Sequence, residues 1–364
     1  MGVIIIFLLL SVCGFILFKK NTFTNNDEPA EGMRISVIIP ARNEEKNLPA
    51  LLQSLTNQSV KPLEIIVCDD HSEDATNRIA GRFGVTVVQS PPLPQNWTGK
   101  NWAVWNGFKK SSGDVLVFLD ADVILKKRAL ETLVNTRAKT GGVISVVPFH
   151  QTVKFYERLS LILYLLGIFV FTSPFEKDNC ERGLRGCCIA VRRTDYEKIG
   201  GHTSVSGEIV EDMKLGKQFV AAGINVQNRI GYGLMTIRMY QSLKEEIQGF
   251  VKGAVLSTSD TKLATMLFIV LWLVGLLASG FATPVLLILG SDYAIPFLAG
   301  YFFYSVQIIY FLKYIGRYGW IVPVFHTISS LFFVFVMVYA TYRVTFIGSV
   351  NWKGREIKVG EKGK

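Results

Sequence analysis

The sequence predicts an α/β domain, a mostly parallel sheet flanked by helices, joined to an α-helical membrane region in a chain of 364 residues. Three observations carry this. From Arg34 onward, short apolar strands alternate with helical stretches, the order that covers a parallel sheet with helices and puts ligands beyond the carboxyl ends of the strands. Two of those strand ends are acidic, Asp69-Asp70 and Asp120-Ala121-Asp122, and a third acidic pair, Glu211-Asp212, follows. Beyond about residue 262 lie the apolar blocks Leu263 to Leu289, Ala294 to Leu312 and Trp320 to Thr341. Each approaches or exceeds the roughly 20 residues that cross a bilayer.

Taken in order, Val3 to Phe18 is almost wholly apolar and is followed by Lys19-Lys20. Charge after the apolar run, with no small-residue cleavage site, predicts an uncleaved anchor over 1–20 rather than a removed signal peptide. The polar stretch 21–33, with Pro29, reads as a linker. Ile35 to Ile39 is a strand. Glu44 to Thr56 is a helix, with Leu48, Leu51, Leu52 and Leu55 at helical spacing. Glu64 to Cys68 is a strand, Asp74 to Phe83 a helix, Val85 to Val88 a strand, Trp102 to Lys110 a helix, and Val115 to Leu119 a strand. Leu159 to Thr172 is nearly all apolar and has two readings, a buried helix or a helix lying in the membrane face.

The three late blocks make a membrane region over 262–342, followed by a basic tail over 343–364. Lys19, Lys20 and the loop Lys313 to Arg317 belong on the cytoplasmic side by the positive-inside bias, and Gly290 to Tyr293 on the other. Four full crossings put Arg343, Lys353, Arg355 and Lys358 outside, against that bias, unless one block is re-entrant or lies on the surface. The membrane blocks hold almost no ionisable residues to mark a transport path. The net charge of +10 is spread along the chain. It suits anionic lipid heads, and without a recognition motif it does not point to nucleic acid. The five cysteines (13, 68, 180, 187 and 188) lack metal-ligand spacing, and their odd number suits reduced thiols.

The chemistry is concentrated at the strand ends. Asp120 and Asp122 stand one residue apart where an apolar strand reaches solvent. Two such carboxylates repel each other unless a cation pairs with them, and a hard divalent ion carrying a diphosphate would do so. Asp69 and Asp70 are placed to accept hydrogen bonds from a nucleobase imide or a ribose hydroxyl. Ser72 and Asp74, just after them, read as helix-capping residues. In Trp97-Thr-Gly-Lys-Asn-Trp102, Lys100 offers a point charge for phosphate, while Trp97 and Trp102 read as packing.

Together these residues resemble the family 2 glycosyltransferases, whose nucleotide-sugar-binding domain has the GT-A fold, over about residues 34–255. The opening Ile-Ile-Pro-Ala-Arg-Asn-Glu-Glu45 is near that family's usual start. Asp69-Asp-His-Ser-Glu-Asp74 matches its D-D-G-S-T-D except that His71 and Glu73 replace Gly and Thr, and His tolerates left-handed backbone. The resemblance implies a UDP-sugar donor held by Pro40, Ala41, Arg42 and Glu44, with uridine at Asp70 or Asp69. It implies Mg²⁺ or Mn²⁺ and diphosphate at Asp120 and Asp122. Inverting transfer to a hydroxyl needs a base. Glu208-Ile-Val-Glu-Asp-Met-Lys-Leu215 looks like the family's E-D motif opening a helix, so Asp212 is the expected base and Glu211 its backup. Arg182 to Gly201 resembles the acceptor-side strand, helix and Gly-Gly turn, with Cys187 and Cys188 in a buried strand.

Processive members carry Q-x-x-R-W, whereas this chain has Arg238-Met-Tyr-Gln241, which argues for addition of a single sugar. Arg238 either meets the diphosphate or snorkels at the membrane. The motif spacing and the tail Val350-Asn-Trp-Lys-Gly-Arg355 resemble, more closely, members that form glucosyl esters of C30 carotenoid acids. That implies a lipid acceptor, a membrane location and partner enzymes of one pathway. An acceptor that is already an anion lowers the demand on Asp212, which would then orient rather than abstract. Transfer to diacylglycerol, a sphingolipid or polyprenyl phosphate keeps the same chemistry. A scaffold with a decayed transferase domain fits poorly, because all three acidic stations are present.

Overall fold

The computed structural model describes residues 1–23, 32–176, 183–256, 261–352 and 355–358. Most of the expected linker (24–31), Cys180, Lys353 and the end of the basic tail (359–364) lie outside the described residues. The chain forms two compact units, Asn21–Phe149 with Cys180–Ile237, and Met1–Lys20 with His150–Asn179 and Arg238–Lys364.

The first of these units is built on a seven-stranded sheet. Its strands are β1 (Ile35–Ala41), β2 (Glu64–Asp69), β3 (Thr86–Gln89), β4 (Val115–Leu119), β6 (Val143–Val147), β8 (Cys188–Arg192) and β9 (Val226–Ile230). The order is β3-β2-β1-β4-β8-β6-β9. Pairings β3–β2, β2–β1, β1–β4 and β6–β9 are parallel, and β8 runs antiparallel to both β4 and β6. The mostly parallel sheet follows from the local strand–helix order; the antiparallel β8 comes from a residue pairing about seventy positions away that local spacing does not encode. A short ladder joins β5 (Val123–Leu125) to β10 (Met235–Ile237), antiparallel.

Helices α2 (Leu48–Thr56), α3 (Thr76–Arg82), α4 (Gly99–Lys110), α5 (Ala129–Thr140), α7 (Arg193–Lys198) and α8 (Glu211–Ala221) complete this unit. The expected helix over 44–56 starts later, because Asn43 takes a left-handed φ of 54° and residues 44–47 form a turn. α2 buries Leu48, Leu51, Leu52 and Leu55, the four leucines of the helical pattern. α4 lies close on the sheet. A side chain at Gly107 would meet Cys68 Sγ and Ile38 Cγ2 at 2.3 and 2.8 Å, so only glycine permits this approach.

The other unit is helical. It contains α1 (Gly2–Leu17), α6 (Leu161–Thr172), α9 (Leu243–Leu256), α10 (Leu263–Ile288), α11 (Ala294–Ile315), α12 (Ile321–Val324) and α13 (His326–Tyr342). It also holds most of β7 (Phe149–Gln151), which pairs with β11 (Gly316–Arg317), and a hairpin of β12 (Ser349–Trp352) and β13 (Arg355–Lys358). The segments Leu263–Ile288, Ala294–Ile315 and His326–Ile347 are long and apolar enough to cross a membrane. The third apolar block divides at Phe325, just after Pro323, which has no N–H to give a continuing helix. The segment at 159–172 is the buried helix of its two readings: α6 buries Leu161, Ile162, Tyr164, Leu165, Ile168, Phe169 and Thr172.

The short α1 packs against α10 and α11 through a polar seam. Trp272 Nε1–H donates to Gln307 Oε1 (2.7 Å), and Gln307 Nε2–H donates to the Ser11 carbonyl (2.6 Å). Large apolar side chains such as Leu267 and Phe302 point outward from the same helices, as lipid-facing positions do.

Candidate active site

The loops after β1 and β2 are pinned to each other. Backbone N–H groups of Asn43, Glu44 and Glu45 donate to Ser72 Oγ, Thr76 Oγ1 and Asp74 Oδ2. In return Glu73 and Ala75 N–H donate to Asn43 Oδ1 and Glu45 Oε2. His71 has φ 54°, the left-handed turn expected of it. Asp74 is not the N-cap of α3, which is Ala75, but from one residue outside it Asp74 Oδ1 accepts from Thr76 N–H (2.9 Å) at the start of the helix. Ser72 instead serves the loop after β1.

This interlock presents the expected donor-side residues. Pro40 and Ala41 end β1, and Ala41 is in register with Asp69 at the end of β2. Asp69 and Asp70 are buried, at 2 % and 6 % exposure. Asp69 Oδ1 accepts from Ser72 N–H (3.2 Å), and Asp70 Oδ2 lies 3.5 Å from Arg42 Nη1. Glu44 Oε2 accepts from Asn47 Nδ2 (2.8 Å), so this side chain is used within its own turn.

Three distant segments meet at Lys100. Thr98 caps α4, with its Oγ1 accepting from Asn101 N–H (3.4 Å). Asn101 Nδ2 donates to the carbonyls of Val205, Ser206 and Glu208 (2.7, 3.1 and 3.0 Å). That brings the loop before α8 onto the first turn of α4. Lys100 Nζ then lies 2.9 Å from Asp120 Oδ1, at the end of β4, and 2.9 Å from Glu211 Oε1, at the start of α8. Burial disfavours the ammonium, but Asp120 and Glu211 outweigh it and hold the Lys100 pKa well above the usual lysine value.

Asp212 is fixed by two backbone donors: Gly186 N–H to Oδ2 (2.8 Å) and Met213 N–H to Oδ1 (2.9 Å). Burial and then the Glu211 charge raise its pKa, against Lys100 and Arg185, which lower it. Pro40, Lys100, Asp120, Gly186, Glu211 and Asp212 all line one small cavity of about 20 Å³. That is room for little more than one water.

His202 also lines this cavity and was not singled out by sequence, although it follows the Gly-Gly turn. Its Nδ1 is 2.7 Å from the Tyr196 hydroxyl, and burial pushes its pKa down to about 4, so it is neutral near pH 7. Gly186 is the other residue missed. Asp122 follows Asp120 across a turn, is half-buried and stands outside the cavity lining. Arg238 lies in the helical unit, where its Nε and Nη2 donate to Glu157 Oε1 (3.1 and 2.6 Å). Trp97 and Trp102 pack edge to face, and Trp102 Nε1–H donates to the Pro91 carbonyl (2.9 Å), the packing role expected. Burial pushes the Cys68 and Cys187 thiols up to about 12 and Cys188 well above its usual value. They are inert.

A mostly parallel α/β sheet whose acidic strand end at Asp120 shares one cavity with the acidic helix start Glu211-Asp212 is the GT-A arrangement, and the chain is a glycosyltransferase. It belongs to glycosyltransferase family 2: the model for "Glycosyl transferase family 2" matches residues 36–200. The 4,4'-diaponeurosporenoate glycosyltransferase of Staphylococcus aureus (strain N315) is 32 % identical over 359 residues, covering 96 % of this chain and 95 % of that one. The protein of that name from Staphylococcus haemolyticus (strain JCSC1435) is 33 % identical over 363 residues, covering 96 % of both. In fold, the chain is similar to a mannosyltransferase from Pyrobaculum calidifontis in complex with GDP-Man and Mn²⁺. The TM-score is 0.53 at 16 % identity, over 95 % of this chain and 99 % of that one.

Proposed function

We propose that this glycosyltransferase is membrane-bound and moves one sugar, glucose from UDP-glucose, with inversion onto the carboxylate of a C30 carotenoid acid. The product is a glucosyl ester. The observation that carries this is the likeness to 4,4'-diaponeurosporenoate glycosyltransferases, which runs through the membrane helices as well as the sheet. Residues 34–255 supply the transferase domain, with 150–179 and 238–255 inside that span belonging to the helical unit. The anchor 1–20 and the helices of 262–342 hold the enzyme in the cell membrane with the catalytic domain cytoplasmic, where Lys19, Lys20 and Lys313 to Arg317 satisfy the positive-inside bias. Other enzymes of the pathway are expected partners there.

In this reading Asp69 and Asp70 receive the uridine moiety, beside Pro40, Ala41, Arg42 and Glu44. Asp120 and Asp122 hold a divalent ion, Mg²⁺ or Mn²⁺. The residues fit one: a cation, the Lys100 ammonium, already sits among oxygen donors of Asp120 and Glu211, and such donors suit hard divalent ions. Among the described residues no three His, Cys, Asp or Glu side chains gather to hold a metal ion unaided, so the remaining ligands would have to come from the diphosphate. When bound, the ion neutralises charge on the leaving diphosphate.

The acceptor carboxylate oxygen attacks the anomeric carbon as the carbon–oxygen bond to UDP breaks, and UDP leaves with the electron pair. No proton has to be removed from such an acceptor. Asp212, held by two backbone N–H groups, and Glu211 then orient the reacting groups; with a hydroxyl acceptor the same pair would supply the base. Lys100, beside Asp120, is the cation available to phosphate.

The test is transfer of label from UDP-glucose into lipid by membranes carrying the protein, with Mn²⁺ or Mg²⁺. An alkali-labile product with the C30 acid is expected. Label entering diacylglycerol or ceramide instead would overturn the acceptor.

A further inference from the structure

We infer that Lys100 is the built-in counter-cation of this site: it holds Asp120 and Glu211 while no metal ion is bound, and it must release Asp120 for one to bind. The inference rests on the proposed role of Asp120 as a metal ligand and adds a residue that opposes the metal.

The geometry is specific. One ammonium lies 2.9 Å from an oxygen of each carboxylate, and those carboxylates come from the end of β4 and the start of α8. A divalent ion binding Asp120 would bring a second positive charge to the same oxygen, and like charges at that separation exclude each other. Release is confined to the side chain. The first turn of α4 is tied down by the Thr98 cap and by the three carbonyls that Asn101 engages. The lysine stem is flexible, with three rotatable donors at its tip.

A released ammonium needs a new partner, and the diphosphate of a nucleotide supplies one. Metal and nucleotide therefore bind with positive coupling: each makes the other's site available, and the coupling is reciprocal. In the nucleotide-free protein, Lys100 keeps metal affinity low.

The experiment is an electron paramagnetic resonance titration of Mn²⁺ against the full-length, detergent-solubilised protein, with and without UDP. Lys100→Met removes the charge and keeps most of the stem; Lys100→Gln, measured alongside, keeps a hydrogen-bond donor. Both variants are expected to bind Mn²⁺ in the absence of UDP about tenfold more tightly than wild type, a difference of about 1.4 kcal/mol. The factor by which UDP tightens Mn²⁺ binding is expected to shrink in both. Unchanged or weaker Mn²⁺ binding in both folded variants overturns the inference. Asp120→Asn separates this from failure of the metal reading: loss of Mn²⁺ binding there upholds Asp120 as ligand, whereas binding equal to wild type overturns that role and the inference with it.

Discussion

Replacing Gly186 by alanine asks how closely the position of Asp212 is specified. A Cβ at Gly186 would lie 2.9 Å from Asp212 Oδ2 and 3.0 Å from Asp212 Cβ, where ordinary contact begins at 3.4 Å. The carboxyl group must therefore retreat by about half an ångström. That stretches the 2.8 Å bond from Gly186 N–H to the edge of useful geometry, while the Met213 N–H still tethers the other oxygen. Losing one hydrogen bond of this kind costs roughly 1–2 kcal/mol of stability, which leaves the protein folded. Turnover suffers more. A misplacement of about 1 Å at a reacting centre costs on the order of 100-fold, so half of that predicts about a tenfold fall in kcat. KM for the sugar donor should change little, since Lys100 and Asp120 are untouched. Steady-state kinetics with the proposed acceptor, run beside a thermal melt, measures both. A folded Gly186→Ala enzyme turning over within twofold of wild type would refute the claim that Asp212 has to be held where it is.

Two further changes probe the helical unit. Burial raises the Glu246 pKa to about 8, and the Glu157 charge adds to it. Because the folded protein keeps this proton and the unfolded chain loses it near the ordinary value of 4.5, stability should fall as pH rises from about 4.5 to about 8 and then level off. Glu246→Gln should flatten that slope and raise the melting temperature at pH 8; a slope identical to wild type in thermal melts would count against it. Gln307→Leu breaks both bonds of the seam joining α1, α10 and α11 and leaves the Trp272 N–H buried without its partner. A loss of about 1–2 kcal/mol is expected from detergent-unfolding curves, and unchanged unfolding would show that the seam is not stabilising.

Much of the site was legible because its residues sit at strand ends. Asp69, Asp70 and Asp120 follow apolar runs whose strand character is local, and His71 stands at a turn that demands a left-handed backbone. The glycosyltransferase family was legible for the same reason. What sequence could not show depends on contacts between distant segments. Lys100 reads as an ordinary phosphate-facing lysine until Asn101 brings residues 205–208, and with them Glu211, onto its helix. Arg238 reads as a phosphate contact or a snorkeling residue, and the Glu157 Oε1 to which its two N–H groups donate belongs to a partner 81 residues away. Gly186 carries no motif of its own; its meaning comes from the Asp212 side chain placed against it.

The seam that fastens α1 also sets a schedule for assembly. Gln307 reaches the Ser11 carbonyl across 296 residues of sequence. At about 5–20 residues per second of synthesis, α1 waits roughly 15–60 s for its partner to be made. In the proposed membrane-bound enzyme the first helix waits through that interval on its own apolar surface, and the bundle can close only near the end of translation. Substitutions that weaken the seam should therefore lower the yield of assembled enzyme more than they weaken the enzyme once assembled.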